Sequence, residues 1–203
     1  MVPRALPFAL AALLVVLDQL TKAWVVAEVP LGARVASWLG LVHLTHVRNA
    51  GAAFGLLRDL RIEVVGTTID GVQVLGLVSL AAAVALAVWL LRDRQLTWGT
   101  RLALGTVMGG AVGNGVDRWR LHYVVDFVHL QAGWFDFPVF NVADTAITLG
   151  AVWLLLATAF PPRRDGAGTA AASEGAAERP PAGGPPADAG SLSDAPSGTA
   201  GDR

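Results

Sequence analysis

The sequence predicts an all-α membrane protein with four transmembrane helices and a small extracytoplasmic sheet. Of its 203 residues, 54% are hydrophobic and only 15% are charged, and the mean hydropathy is +0.53. Soluble domains carry about 25% charged residues. Four long apolar segments account for the difference. Such segments are typical of a chain that crosses a bilayer several times.

The four apolar segments predict helices at about residues 5–27, 71–91, 98–117 and 138–160. The second is the most uniformly apolar. The third contains an apolar run shorter than the roughly 20 residues that span a bilayer, so it must include the polar residues before that run. The fourth opens at Pro138, and proline is favoured in the first turn of a helix.

A cleaved signal peptide is the alternative interpretation of the first segment, because Arg4 precedes an apolar stretch of suitable length. However, residues 18–22 (DQLTK) make a poor cleavage region, and further apolar segments follow. The first segment is therefore predicted to be a retained helix.

Two short stretches predict strands, namely residues 41–47 (LVHLTHV) and residues 121–128. Residues 49–55, which follow the first of these strands, predict a turn. The strands should form a small sheet packed on the helix ends, because backbone without helical hydrogen bonds cannot face lipid. Residues 1–162 then form the membrane domain, and residues 163–203, rich in Ala, Gly, Pro and Ser, predict a disordered tail.

The composition excludes several kinds of chemistry. The chain has no cysteine, which rules out disulfides, thiolate metal sites and cysteine nucleophiles. The net charge of −1 gives no reason to expect a nucleic-acid partner. The four histidines lack the spacing of metal ligands and are interpreted as surface or packing residues: His43, His46, His122 and His129. No metal or cofactor is expected.

Two aspartates in apolar surroundings are the most informative residues. Asp126 lies between Val125 and Phe127, and Asp144 lies 18 residues later. Asp144 is six residues after Pro138, about 9 Å into the predicted fourth helix, which is too deep for a helix cap. Buried carboxylates that share a proton are the apparatus of aspartic proteases. They also mark proton relays in membranes, so these residues alone leave protease, relay and helix cap open.

Other residues predict contacts between helices. Asp18 and Lys22 are four residues apart and therefore adjacent on one helix face. One interpretation is an interfacial ion pair that makes this polar part of the helix tolerable. The other is that Asp18 faces the bundle interior and bonds to substrate or active-site groups. The two interpretations are compatible. Gly105, Gly109 and Gly113 also share one face, which favours close approach of another helix.

Five sequence blocks occur in a recognisable order. They are residues 18–22 (DQLTK), 48–54 (RNAGAAF), 109–118 (GGAVGNGVDR), 125–127 (VDF) and 140–144 (FNVAD). With these blocks the sequence resembles lipoprotein signal peptidase, that is, bacterial signal peptidase II, a family of intramembrane aspartic proteases. Five blocks in order make chance agreement negligible.

The resemblance implies a role for each matched residue. Asp126 and Asp144 correspond to the catalytic dyad. The residues implied to bind substrate or hold the dyad are Asp18, Lys22, Asn49, Gly51, Asn114, Arg118 and Asn141. From its chemistry alone, Arg118 is interpreted as a structural clamp that pairs with a carboxylate or with lipid headgroups.

The resemblance also implies a substrate and a location. The substrate would be a prolipoprotein whose cysteine already carries diacylglycerol, and cleavage would fall just before that cysteine. The protein would be a monomer among the lipids of the bacterial inner membrane, with four transmembrane helices, both termini cytoplasmic and the active site beside an extracytoplasmic β-cradle. The distribution of arginine and lysine between the loops does not decide this orientation independently.

Three other functions compete with this interpretation. A small proton-coupled transporter would explain intramembrane carboxylates, but the chain shows no repeated halves, and both aspartates lie toward one membrane face. A membrane scaffold held by glycine packing leaves the aspartates unexplained. A presenilin-like protease would require a Gly-x-Gly-Asp sequence, and residues 113–117 (GNGVD) contain one residue too many.

Overall fold

The structure is a computed structural model that describes residues 4–51 and 60–160. The predicted tail and part of the predicted turn at residues 49–55 lie outside the described residues. In chain order the elements are α1 (Leu6–Glu28), β1 (Arg34–Trp38), β2 (Val42–Asn49), β3 (Arg61–Val64), β4 (Thr67–Asp70), α2 (Gly71–Arg92), α3 (Trp98–Leu121), β5 (Val124–Ala132), β6 (Phe135–Asp136) and α4 (Val142–Ala159).

The described residues form a mostly helical membrane protein with small sheets. Helices α1, α2 and α4 are long and apolar enough to cross a membrane. Helix α3 has 24 residues, but its mean hydropathy is lowered by charged residues such as Arg101 and Asp117. It packs against each of the other three helices. The four predicted helices are therefore present, and a membrane crossing by α3 stays a prediction.

The start of α4 differs from the prediction. The helix begins at Val142, four residues after Pro138, and Asn141 is its N-cap. The Asn141 side chain accepts a hydrogen bond from the Asp144 backbone N–H at 2.9 Å, and the Asp144 carboxylate accepts one from the Asn141 backbone N–H at 3.2 Å. This reciprocal pair is a capping box. The prediction that Asp144 lies too deep for capping is therefore wrong, because the capping box and not the proline defines the helix start.

The larger sheet has the strand order β1-β2-β5-β6 and is antiparallel throughout. The predicted strand at residues 41–47 is confirmed as β2. The strand predicted at residues 121–128 begins later, because α3 continues to Leu121 and ends at His122 in a left-handed conformation with φ 60°. A separate hairpin of β3 and β4 leads into α2, in a region where the sequence matched no family block.

The sheet is attached to the end of the helical bundle by an apolar cluster. Val25 and Val29 at the end of α1 pack against Val125 and Phe127 of β5, and all four are buried. The sheet therefore begins at the end of the bundle where α1 and α3 finish and α2 and α4 start.

Helices α1 and α3 approach each other along the predicted glycine face. A Cβ atom on Gly105 would lie 2.5 Å from the Pro7 carbonyl oxygen, and one on Gly113 would lie 2.7 Å from the Asp18 carboxylate. The first distance would require movement of the α1 backbone, and the second would require movement of the Asp18 side chain. The small-xxx-small interpretation is confirmed, and this contact holds Asp18 directly against α3.

We expect Gly105→Ala to destabilise the protein by about 1–3 kcal/mol, because the added methyl group would have to push the α1 backbone away. Gly115→Ala is the matched control on the same helix, since the nearest atom to its added Cβ would be at 3.6 Å. Thermal unfolding in detergent measures both variants. An equal melting temperature for the two would contradict the close α1–α3 contact.

Candidate active site

Asp126 lies in the centre of the sheet with both carboxylate oxygens hydrogen-bonded. It is 2% exposed. Its Oδ1 accepts from the Asn141 side-chain amide at 2.7 Å, and its Oδ2 accepts from the Asn49 amide at 3.0 Å. The pairing of β2 with β5 brings Asn49 to this position, because Asn49 lies opposite Val124 in the register. The carboxylate is thus fixed from two different elements.

Asp144 lies in the first turn of α4 and is half-buried. Its Oδ1 accepts a hydrogen bond from the Asn114 side-chain amide of α3 at 2.7 Å, while its Oδ2 closes the capping box with Asn141. The same groups that begin the helix therefore also orient this carboxylate.

One hydrogen-bonded network joins the two aspartates. The Asn141 amide, which donates to Asp126, also contacts the Asn114 carbonyl oxygen at 3.2 Å. The Asn114 amide in turn donates to Asp144. Two asparagines therefore connect a carboxylate on a strand with a carboxylate on a helix. The structure thus brings together four of the residues predicted from the sequence, namely Asn114, Asp126, Asn141 and Asp144.

A buried ion cluster lies directly behind this network. The Lys22 ammonium group contacts Asp18 at 2.8 Å, Asp117 at 2.9 Å and the Asn114 carbonyl oxygen at 3.0 Å. All four residues are buried. The predicted i, i+4 pair is present, and Asp18 faces the bundle interior, so both interpretations of the pair hold.

The two carboxylates of this cluster hold the backbone next to the candidate dyad. Asp18 accepts a hydrogen bond from the Ala143 N–H at 2.9 Å, and Asp117 accepts one from the Val125 N–H at 3.2 Å. Ala143 immediately precedes Asp144, and Val125 immediately precedes Asp126. The predicted site set omitted Asp117. Its position three residues after Asn114, on the same helix face, is the one local signal in the sequence that favours it, and its partners from other parts of the chain could not be predicted.

The remaining predicted residues border the site. The half-buried Arg118 guanidinium has favourable charge interactions with Asp144, Asp126 and Asp117. Within residues 4–51 and 60–160 its side chain makes no ion pair, so the predicted pairing with a carboxylate is absent there, and pairing with lipid headgroups stays a prediction. The Gly51 N–H donates to the Asn49 side-chain oxygen at 3.1 Å, which orients the amide that binds Asp126.

A cleft of about 380 Å³ opens onto Asp126. Arg48, Asn49 and Gly51 form one wall, and Pro138 and Val139 form the other. The cleft gives access to Asp126 from one side of the carboxylate network.

The environment of Asp126 favours protonation. Burial raises the pKa of its carboxyl group to about 6, and the nearby charge of Asp144 acts in the same direction. The hydrogen bonds from Asn49 and Asn141 favour the ionised form and oppose part of this effect. A carboxyl group with a pKa of about 6 can gain or lose a proton near neutral pH, which suits acid–base chemistry.

The raised pKa predicts a pH-dependent difference in stability between the wild type and Asp126→Asn. A carboxyl group whose folded pKa exceeds its unfolded value of 3.8 loses stabilising free energy as the pH rises through about 6. The full loss is about 3 kcal/mol, and asparagine does not incur it. We expect the difference in melting temperature, Asp126→Asn minus wild type, to increase between pH 4 and pH 7. A constant difference across this range would contradict the raised pKa.

The family follows from comparison with known proteins. The sequence matches the signal peptidase (SPase) II family over residues 10–160, which is most of the chain. The chain belongs to the signal peptidase II family. The resemblance seen in the five blocks is thereby confirmed, and membership of this family identifies the chain as a membrane protease.

Individual relatives agree with the family assignment. A lipoprotein signal peptidase of Gloeobacter violaceus is 42% identical over 152 residues, which cover 74% of this chain and 80% of the relative. One from Streptococcus pyogenes serotype M6 is 40% identical over 146 residues, covering 71% of this chain and 86% of the relative. The proton-coupled transporter is not supported by these comparisons.

Two solved structures, each described as a bacterial membrane enzyme, share the fold. One has a TM-score of 0.65 and 26% sequence identity, and the match covers 76% of this chain and 88% of that chain. The other also has a TM-score of 0.65, with 25% identity over 80% of this chain and 95% of that chain.

Proposed function

We propose that this protein is an intramembrane aspartic endopeptidase that removes signal peptides from diacylglyceryl-modified prolipoproteins, cleaving just before the lipidated cysteine. The observation that supports this most strongly is the single asparagine network that joins the carboxylates of Asp126 and Asp144 in a chain of the signal peptidase II family. In this proposal these two aspartates are the catalytic pair.

The pair performs general acid–base catalysis in its singly protonated form. The ionised carboxylate removes a proton from a water molecule, which attacks the scissile carbonyl carbon, while the protonated carboxyl group donates to the carbonyl oxygen. The tetrahedral intermediate then collapses, the peptide C–N bond breaks, and the departing amine takes a proton from the pair. The proton belongs to Asp126 and Asp144 jointly, because coupled carboxyl groups titrate together.

The surrounding residues hold this pair in position. Asn114 and Asn141 orient the two carboxylates through fixed amide donors. Asn49, supported by Gly51, fixes the Asp126 oxygen that lies toward the cleft. Arg118 supplies a positive charge near the developing oxyanion, where preorganised charge has its largest effect on the barrier.

The membrane arrangement follows from the same proposal. All four helices cross the bacterial inner membrane, and the termini are cytoplasmic. The sheet and the catalytic pair then lie at the extracytoplasmic face, where water reaches the pair while the diacylglyceryl group of the substrate stays in the bilayer. In this proposal the protein acts as a monomer.

Matched substrates test this function. Purified protein in lipid nanodiscs is incubated with a diacylglyceryl-modified prolipoprotein and with the same precursor lacking the lipid. We expect mass spectrometry to show a signal peptide that ends immediately before the cysteine, formed only from the lipidated precursor. Cleavage of both precursors at equal rates would overturn the substrate assignment, and a different product end would overturn the cleavage position.

A further inference from the structure

The end of the sheet farthest from Asp126 carries an unusual set of exposed side chains. Antiparallel pairing of β2 with β5 places the β1–β2 loop beside the β5–β6 loop. A hydrogen bond of 2.9 Å from the Gln131 N–H to the Leu41 carbonyl oxygen joins the two strands next to these loops. Trp134 in one loop is 96% exposed, and Leu39 in the other is 81% exposed. Short hairpin loops normally carry glycine, asparagine or aspartate. We call this end the distal rim, defined as Leu39, Leu41, Trp134, Phe135 and Phe137.

The aromatic residues of the distal rim form one continuous apolar surface. The Trp134 and Phe135 rings meet edge to face with centroids 6.4 Å apart, and the Phe135 and Phe137 rings stack at 6.2 Å. Both phenylalanines are exposed. Large exposed aromatic surface is costly in water, so a surface of this kind marks an interaction site.

The opposite face of the same strands is polar. Arg34 donates to Gln131 at 2.7 Å and to His129 Nδ1 at 2.9 Å, and His129 Nε2 then donates to Asp136 at 2.6 Å. Side chains alternate between the two faces of a strand, so Phe135 lies on the face opposite Asp136. The distal end of the sheet is therefore amphipathic, with its polar groups paired on one face and its aromatic groups exposed on the other.

We infer that the distal rim inserts into the interface of the bilayer that holds the helices. The other end of the sheet packs on Val25 and Val29 of α1, which is long and apolar enough to span a membrane, so the sheet starts at the membrane boundary. Along β5 the rim lies about 20 Å from Asp126, at roughly 3.3 Å per residue. Tryptophan and other aromatic residues are enriched where a bilayer meets water. The rim therefore anchors the sheet on the lipid surface, independently of any cleavage chemistry.

Site-directed fluorescence in nanodiscs tests this anchor, and the absence of cysteine from the chain makes each label unique. An environment-sensitive dye is attached to Trp134→Cys, Phe135→Cys and Asp136→Cys in the full chain. Quenching is measured with lipids that carry a spin label near the headgroup and with iodide in the water. Phe135 and Asp136 are adjacent residues on opposite faces, so each is a matched control for the other.

We expect the lipid quencher to act several-fold more strongly on the dyes at positions 134 and 135 than on the dye at position 136, and iodide to show the reverse order. Equal access of iodide to all three dyes would overturn the inference, because the rim would then lie in water. Protection of positions 134 and 135 that appears only after a prolipoprotein is added would also overturn it, since the rim would then bind a peptide.

Discussion

We expect Asp126→Asn and Asp144→Asn each to reduce kcat/KM for a diacylglyceryl-modified prolipoprotein by at least about 10³-fold, because each would remove a group that the proposed mechanism uses to transfer protons. Asparagine keeps the size of the side chain and part of its hydrogen bonding. It cannot accept the proton of the attacking water or deliver one to the carbonyl oxygen. The loss is therefore chemical, and each variant should remain folded.

Asp93→Asn is the matched control for this experiment. Asp93 is the C-cap of α2, at the end of that helix remote from the sheet, and its carboxylate binds local groups on Trp89 and Gln95. Cleavage should be unchanged in this variant. Wild-type activity in either dyad variant would show that the corresponding carboxylate is not part of the chemistry.

Lys22→Met should lower the free energy of unfolding by about 3–5 kcal/mol, because it leaves two buried carboxylates without a cation. We expect this effect to be larger than that of any other single substitution proposed for this protein. Asp18 and Asp117 would repel each other and draw in water or protons. Their hydrogen bonds to the Ala143 and Val125 N–H groups would weaken at the same time, and the backbone beside Asp144 and Asp126, the proposed catalytic pair, would move. Cleavage should therefore fall together with the melting temperature.

The double variant Lys22→Met with Asp18→Asn separates this effect from simple loss of packing. Because it removes a negative charge along with the positive one, it should be more stable than the sum of the two single changes predicts. Arg92→Gln, at an exposed position on α2, should change stability by less than about 0.5 kcal/mol. If Lys22→Met had the same melting temperature as the wild type, the buried cluster could not have the structural role described above.

The sequence predicted the helices well because their apolar segments are long and uninterrupted. The second apolar segment and α2 agree to within one residue at each end. The fourth helix was placed too early because Pro138 is a plausible first residue, whereas the actual start depends on hydrogen bonds between Asn141 and Asp144. Asparagine and aspartate three residues apart form a readable capping signal, and recognising it would have corrected the boundary.

The site illustrates a different limit. Asp126 and Asp144 attracted attention because apolar neighbours make a carboxylate costly, but the network that joins them runs through Asn141 at the start of α4 and Asn114 of α3. Hydrogen bonds between residues that lie far apart in the sequence cannot be predicted from a local sequence pattern. Asp117 was missed for the same reason, since its partners Lys22 and Val125 come from two separate parts of the chain. Residues within one helix, such as Asp18 and Lys22, were predictable from their spacing.

The central claim is that Asp126 and Asp144 act as one catalytic unit, and single-turnover cleavage by the double variant Asp126→Asn/Asp144→Asn tests it most directly. Residues that work as a unit show strongly non-additive losses, because removal of either member already stops the proton cycle. The double variant should therefore cleave diacylglyceryl-prolipoprotein no more slowly than the slower of the two single variants. A loss equal to the product of the two single losses would show that the carboxylates act independently and would contradict the shared-proton mechanism.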